Sequence, residues 1–192
     1  MISMECLHNY RNFVEKVNRL CQRIEAEYYE QMACRKGCDG CCLHFSLFWV
    51  EAVSLAVALR EVPKSGVEHI REMARVASPD GPCPLLENGA CLLYAARPII
   101  CRTHGLPILT KEDDKPTVDF CPKNFRSIDS LPGHAVIDLD LLNTLLTAIN
   151  ANFVAEFFQG KPAISDRLTI AEALLLESSP ENGNYHNKQK IT

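Results

Sequence analysis

The stretch Cys34-Arg-Lys-Gly-Cys38-Asp-Gly-Cys41-Cys42 brings four thiols into nine consecutive residues. Gly37 and Gly40 stand between them. Glycine tolerates positive φ, so the backbone here can curl and direct several side chains to one point. Four more cysteines follow along the chain, at Cys83, Cys91, Cys101 and Cys121. Because a chain of 192 residues that is 47% apolar can bury a core without help from thiols, we interpret the eight cysteines as a metal-binding set.

Composition and charge argue against several classes of partner. The net charge is −4 and no block of Lys and Arg stands out, so we expect no nucleic-acid partner. The longest apolar runs are interrupted by charges and fall short of the roughly 20 residues of a membrane span, so no membrane insertion is expected. The N-terminus lacks the basic and then apolar pattern of a secretory signal. We therefore expect a cytoplasmic protein with reduced thiols, and metal or redox chemistry in preference to disulfides.

Outward from the cysteine stretch, the fold class is predicted to be mainly α with short β-hairpins, the helices lying around a cysteine-rich metal-binding centre. Helices are predicted from their apolar patterns over 5–32, 47–61, 65–77 and 138–159. Ser46 is expected to cap the second of these, and Ser165 or Asp166 to cap a last helix that reaches about Glu177. Cys21 lies in the apolar stripe of the first helix and is interpreted as a buried side chain, whereas Cys6 is given no role.

Turn signals in the middle of the chain would bring the later cysteines together. We expect a hairpin at Asn88-Gly89, a turn or short helix from Arg97-Pro98, and a second hairpin over 106–120. These turns would carry Cys83 with Cys91, then Cys101, and finally Cys121. The predicted organisation is an N-terminal amphipathic helix at 1–32, a cysteine-cluster metal-binding domain at 33–126, C-terminal helices packing on it at 127–177, and a disordered polar tail at 178–192.

The spacing of the cysteines narrows the choice of metal without deciding it. Thiolates are soft ligands that select zinc, copper(I) or iron–sulfur clusters. The x3 and x2 spacing of Cys34, Cys38 and Cys41 suits three corners of a cubane. Radical-SAM enzymes share this spacing, but the chain lacks the strands of their barrel. Cys41 and Cys42 are adjacent, so they would serve two metal sites, or one site and a free thiol. Two four-ligand sites and one cluster with spare thiols fit the count of eight equally well.

Basic and histidine side chains near the cysteines are candidates for supporting roles. Arg97 and Arg102 flank Cys101, and we expect them to offset thiolate charge by hydrogen bonding to sulfur, which tunes a metal site. His104 is predicted to support the site by hydrogen bonding or as a nitrogen ligand, and His44 is a candidate for the same roles. For each histidine alone, a surface position is the commoner alternative.

The sequence resembles the YkgJ-like cysteine-cluster family, the CxxCxxCC domain, which is described as zinc- or iron-chelating. The resemblance covers about residues 33–121 and is carried by the first four cysteines together with Cys83-Pro-Leu-Leu, Asn88-Gly89-x-Cys91-x-x-Tyr94 and Arg97-Pro98-x-x-Cys101-Arg102. It implies metal binding but no particular reaction. A related cluster occurs in flagellin lysine methylases. Methyl transfer is the weaker alternative, because this chain is short and has no glycine-rich loop for S-adenosylmethionine.

Three hypotheses of function follow. The first is an iron–sulfur cluster, most simply [4Fe–4S], in an electron-transfer or oxidoreductase role. The second is a zinc protein with structural or metal-handling sites. The third is a non-catalytic interaction module whose flanking helices mediate a homodimer or bind a protein partner. No catalytic residue is assigned, since the chain shows no Ser/His/Asp arrangement, P-loop or dinucleotide fingerprint.

Overall fold

The computed structural model describes residues 6–112, 115–163 and 165–176. Within these ranges the chain forms six α-helices and seven short strands. In chain order the elements are α1 His8–Glu27, β1 Ser46–Phe48, α2 Trp49–Leu59, α3 Lys64–Arg75, β2 Leu86–Glu87, β3 Ala90–Cys91, α4 Ile99–Thr103, β4 Ile108–Glu112, β5 Lys115–Asp119, β6 Ile137–Asp138, α5 Leu139–Phe157, β7 Arg167–Thr169 and α6 Ile170–Leu174. The predicted tail at 178–192 lies outside the described residues.

The helices pack on one apolar core. The predicted stripe of α1 is confirmed, and its buried residues include Phe13, Cys21 and Ile24. Helix α1 ends at Glu27, earlier than predicted, because Tyr28 leaves the helical conformation and a 3₁₀ turn follows. Helix α2 is buried on most of its surface and packs against α5 and α6. Because several of its faces are covered, its sequence is apolar almost throughout and does not form a single stripe.

Three small sheets tie distant segments together. Both predicted hairpins are confirmed, as β2–β3 and β4–β5, although the turn residues 113–114 of the second lie outside the described residues. Positive φ at Asn88 and Gly89 gives the first hairpin the tight turn that this dipeptide favours. The sequence did not predict β1, β6 and β7. Strand β1 pairs antiparallel with β7, and β6 adds parallel to β4. Their partners are distant in sequence, so no local pattern marks them.

Two predicted caps are wrong. Ser46 lies in β1, and α2 begins three residues later, where the carboxylate of Glu51 accepts the N–H of Phe48. The last helix is capped by Thr169, not by Ser165 or Asp166. The Thr169 hydroxyl accepts the N–H of Glu172, whose carboxylate accepts the N–H of Thr169 in return. This reciprocal pair is a capping box, and it is a stronger start signal than an isolated polar residue.

The prediction of fold class is confirmed in part. Helix amounts to 49% and strand to 14% of the described residues, which makes this part of the chain mixed α/β rather than mainly α. The helices surround the apolar core, and the cysteines lie beside it on coil, hairpin and the short helix α4, because the apolar stripes face one another. The domain limits at 32, 126 and 177 stay predictions. None of the helices in the described ranges is both long and apolar enough to cross a membrane.

Candidate metal centre

The coil that carries the first four cysteines folds back onto the β2–β3 turn. The N–H of Gly37 donates to the carbonyl of Gly89 over 3.0 Å. A Cβ at Gly89 would lie 3.1 Å from the Cα of Gly37, so a side chain at Gly89 would press on the backbone of the coil. Gly37 has φ of +93°, which confirms the predicted positive φ at this glycine, whereas Gly40 does not adopt one. The contact brings the coil against the hairpin that carries the next two cysteines.

One group of cysteines, here called the inner cysteines, gathers around this hairpin: Cys42, Cys83, Cys91 and Cys101. The N–H of Cys83 donates to the carbonyl of Cys42 over 2.8 Å, and Cys91 on β3 pairs with Leu86, three residues beyond Cys83. The charges of Cys83, Cys91 and Cys42 each act on Cys101, which α4 presents to the group. Backbone pairing and the short helix α4 therefore bring together four cysteines that are spread over residues 42–101.

The remaining group, the outer cysteines, lies towards the other end of the coil: Cys34, Cys38, Cys41 and Cys121. Gly105 stands between two of them, since a Cβ there would lie 3.0 Å from Cys34 Sγ and 3.6 Å from Cys121 Cβ. Lys123 Nζ lies 3.9 Å from Cys38 Sγ. The charge of the adjacent Cys42 acts most strongly on Cys41, followed by the charges of Cys34 and Cys38. The two groups adjoin, because the Cys41 thiol also donates to Cys42 sulfur and the charge of Cys38 reaches Cys42.

Burial and mutual repulsion favour protonated thiols at the inner cysteines. Burial, with smaller contributions from neighbouring thiolates, raises the pKa of Cys83 to about 11 and that of Cys101 to about 12. The N–H groups of Leu85 and Leu93 donate to the sulfurs of Cys83 and Cys91 and oppose the rise in pKa. Thiolates at these positions need a cation for compensation, so metal binding here would release protons.

The predicted supporting residues make other contacts than expected. Arg97 donates to the carbonyls of Tyr94 and Cys101 and stacks over the Tyr94 ring, and its charge lowers the pKa of Cys91 and Cys101. Arg102 donates to the carbonyls of Arg97 and Ala95 and to Asn18 on α1. These arginines therefore brace the segment before Cys101 and act on the thiols through their charge.

The two histidines differ in their surroundings. His104 follows α4 and its side chain is exposed. His44 has both ring nitrogens engaged: Nδ1 lies 2.8 Å from the Ser78 carbonyl, and Nε2 lies 3.0 Å from the N–H of Ala171 on α6. The proton on Nδ1 and the lone pair on Nε2 match these partners. His44 therefore fastens the end of the coil to α6, and a role as nitrogen ligand through Nε2 would cost the bond to Ala171.

Sequence reasoning missed two buried polar residues next to the cysteines. Asn124 is fully buried, and its side chain bonds to Ala33, Gly105 and Cys34. Glu51 on α2 is 5% exposed and accepts the N–H of Ile99, the first residue of α4. Asn124 stands three residues after Cys121, where a polar residue in a coil looks solvent-exposed. Glu51 is one of the charges that interrupt the apolar runs of the sequence, and a carboxylate in a helical first turn is also a cap signal.

Gly105→Ala is expected to destabilise the fold by about 1–2 kcal/mol from backbone strain alone, since Gly105 has φ of +88°. The new methyl group would also press on Cys34 Sγ and on Asn124 Nδ2, which lies 3.2 Å from its position. Chemical denaturation measures the loss. Gly133→Ala is the control, since no atom lies within 4 Å of its Cβ position and its φ is ordinary. Equal stability of the two variants would contradict the tight packing described for Gly105.

The donor set fits a soft metal, although the sulfurs do not stand in coordination geometry. Among the described residues, no group of three or more His, Cys, Asp and Glu side chains is already arranged to hold a metal ion. The eight thiols nevertheless lie on segments held to one another by backbone hydrogen bonds, and rotation about χ1 moves a sulfur without moving those segments. Thiolates in this number suit zinc or an iron–sulfur cluster and disfavour magnesium or calcium.

Comparison with known families matches residues 33–122 to the model of the CxxCxxCC family, described as a "Putative zinc- or iron-chelating domain". The matched range includes all eight inner and outer cysteines and confirms the resemblance found in the sequence. It supports metal binding by this part of the chain. The match does not distinguish iron from zinc. No curated protein and no solved structure matches the chain.

Proposed function

Residues 33–122 carry a CxxCxxCC domain, and from this we propose that the protein holds an iron–sulfur cluster, most simply [4Fe–4S], on its clustered thiolates. The observation that supports it best is the meeting of four separate segments, since Gly37 contacts Gly89, Cys42 contacts Cys83, and Gly105 packs against Cys34 and Cys121. A fold that needed only a core would not gather eight thiols at the edge of it. A bound cluster would supply one-electron transfer, which fits an electron-transfer or oxidoreductase role.

The protein's own residues would hold and tune such a centre. The eight cysteines supply the ligands, and Arg97 and Lys123 place positive charge near their thiolates. The N–H groups of Leu85 and Leu93 donate to ligand sulfurs, and such bonds shift the reduction potential of a cluster. We place the protein in the cytoplasm, since a reducing compartment keeps these thiols available.

A zinc protein is the second candidate, and the division of the cysteines favours it. Four inner and four outer thiols match the closed Cys₄ set of structural zinc sites. Zinc bound in this way would clamp α4 and the hairpin to the coil and would contribute directly to folding. The two candidates predict the same ligands and differ in colour, in metal and in acid-labile sulfide.

Anaerobic purification with optical spectroscopy and metal analysis tests the proposal. We expect a brown protein with iron and acid-labile sulfide in equal amounts. Colourless protein with stoichiometric zinc would replace the cluster by the second candidate. Protein without either metal, isolated under reducing conditions, would overturn both.

Cys38→Ser is expected to lower the bound metal to about half or less, whereas Cys21→Ser is expected to retain all of it. Cys38 lies among the outer cysteines, while Cys21 is buried in the stripe of α1, where burial raises its pKa to about 11. A serine at position 21 can bond back to a carbonyl one turn earlier, so the control is expected to fold. Metal analysis of both variants tests whether Cys38 is a ligand, and equal metal content in the two would refute that role.

A further inference from the structure

We infer that the domain contains two separate four-thiolate metal sites, one formed by the inner and one by the outer cysteines, which meet at the adjacent pair Cys41 and Cys42. The inference rests on the proposed metal-binding function and deepens it. The sequence left two sites and one cluster with spare thiols equally open. The contacts of the described residues favour the first.

The inner site is built on backbone that is fixed without metal. The hydrogen bond from Cys83 to Cys42 and the bridge between Leu43 and Pro82 join coil and hairpin side by side. Helix α4, which carries Cys101, is held to α2 because the carboxylate of Glu51 accepts the N–H of Ile99 over 3.0 Å. The coil, the hairpin and α4 would together supply the four thiols of a Cys₄ site.

The outer site has its own, separate supports. The carboxamide of Asn124 holds the start of the coil, since its Oδ1 accepts the N–H of Ala33 over 2.8 Å and its Nδ2 donates to Cys34 Sγ over 3.3 Å. The same carboxamide donates to the carbonyl of Gly105, the residue that packs between Cys34 and Cys121. These contacts involve neither the hairpin nor α4, so the outer thiols have supports of their own in addition to the hydrogen bond by which Gly37 holds the coil to the hairpin turn.

The adjacent pair is where the two sets divide. Apart from its neighbour Cys42, Cys41 interacts with Cys34 and Cys38, both outer cysteines. Cys42 interacts with the inner cysteines Cys83, Cys91 and Cys101, and also with the outer cysteine Cys38. Neighbouring residues in a turn direct their side chains differently, and the N–H of Cys42 closes such a turn on the Asp39 carbonyl over 2.8 Å. The sets touch, since the Cys41 thiol donates to Cys42 sulfur. The two sites would therefore be adjacent in space, but no cysteine would bind both metals.

The test compares Cys41→Ser with Cys42→Ser, two variants that differ by one position. Each is expected to keep half of the wild-type metal. The retained halves should differ in release to a chelator: Cys41→Ser keeps the slowly released metal of the buried inner site, and Cys42→Ser keeps the rapidly released metal of the outer one. Cys101→Ser should reproduce Cys42→Ser, and Cys121→Ser should reproduce Cys41→Ser. Complete metal loss in both members of the adjacent pair, or full retention in either, would overturn the two-site inference.

Wild-type protein provides a count that does not depend on any variant folding. Titration of the reduced full-length protein with Cd²⁺, followed by its thiolate absorption and by cadmium NMR, is expected to saturate at two ions with two resonances. Saturation at one ion would overturn two sites and leave metal binding intact. No uptake of Cd²⁺, together with no metal in the protein as purified, would overturn the proposed function itself.

Discussion

Glu51→Ala is expected to lower the free energy of unfolding by about 4 kcal/mol, since each buried donor left without a partner costs about 1–3 kcal/mol. The carboxylate accepts the N–H of Ile99 over 3.0 Å, the N–H of Phe48 over 3.3 Å, and the hydroxyl of Tyr10. Alanine would leave all three donors inside the protein. It would also release α4 from α2, so the inner metal is expected to become labile to chelators.

Glu51→Gln separates the hydrogen bonds from the charge. It keeps one acceptor oxygen and turns an N–H₂ group towards one of the two backbone donors, so a smaller loss of about 2 kcal/mol is expected. Glu72→Gln on α3 is the control, because Glu72 is exposed and its substitution should change stability by less than about 0.5 kcal/mol. Denaturant unfolding measures the free energy of unfolding of the three variants and ranks their stability. Glu51→Ala as stable as Glu72→Gln would refute the bridging role.

The same residue predicts how stability depends on pH. Burial raises the pKa of Glu51, against the lowering effect of its N–H partners. The folded state therefore holds the carboxyl proton more tightly than the unfolded chain does. The part of the stability that is linked to protonation of Glu51 is full below the ordinary carboxyl pKa of about 4.3 and is lost as the pH rises towards the raised value, whereas the hydrogen bonds that Glu51 accepts remain. Glu51→Gln should remove this part of the pH dependence, and an unchanged profile would contradict the raised pKa.

What could be predicted from the sequence is what depends on neighbours along the chain. The stripe of α1 and the turn at Asn88-Gly89 follow from residues that lie within a few positions of one another. Strand β1 was missed because its pairing with β7 joins Ser46 to Thr169 across more than a hundred residues. Neither segment alone has the alternating pattern of a strand, so tertiary contact rather than local preference sets both.

The candidate site shows the same division. All eight cysteines could be named from their spacing and resemblance, because thiol identity is visible in the sequence. Their division into inner and outer sets could not, since it depends on Cys42 meeting Cys83 and on Gly105 packing between Cys34 and Cys121. Arg97 and Arg102 were expected to bond to sulfur, whereas they bond to carbonyls, and these bonds depend on how the chain before α4 turns. The sequence therefore identifies the candidate metal ligands, but it does not show which groups contact one another in the folded protein.

Asn124→Ala is expected to cost about 3 kcal/mol and to remove the outer metal while leaving the inner metal bound. The side chain is fully buried and satisfies the N–H of Ala33 and the carbonyl of Gly105, each over 2.8 Å. Alanine leaves both groups without a partner, at about 1–3 kcal/mol each, and frees the coil that carries Cys34. Asn143→Ala is the control, since Asn143 is exposed on α5 and alanine favours a helix.

Asn124→Asp distinguishes support of the metal from support of the fold. Aspartate keeps the acceptor for Ala33, but it cannot donate to Gly105 or to Cys34 when ionised, and it adds a buried negative charge beside a thiolate. If Asn124 supports Cys34 as a ligand, Asn124→Asp should lose outer metal at least as completely as Asn124→Ala, and lowering the pH towards protonation of the aspartate should not restore it, because the thiolates protonate as well. Metal analysis with chelator release measures both variants. Full outer metal in either would show that Asn124 serves the fold alone.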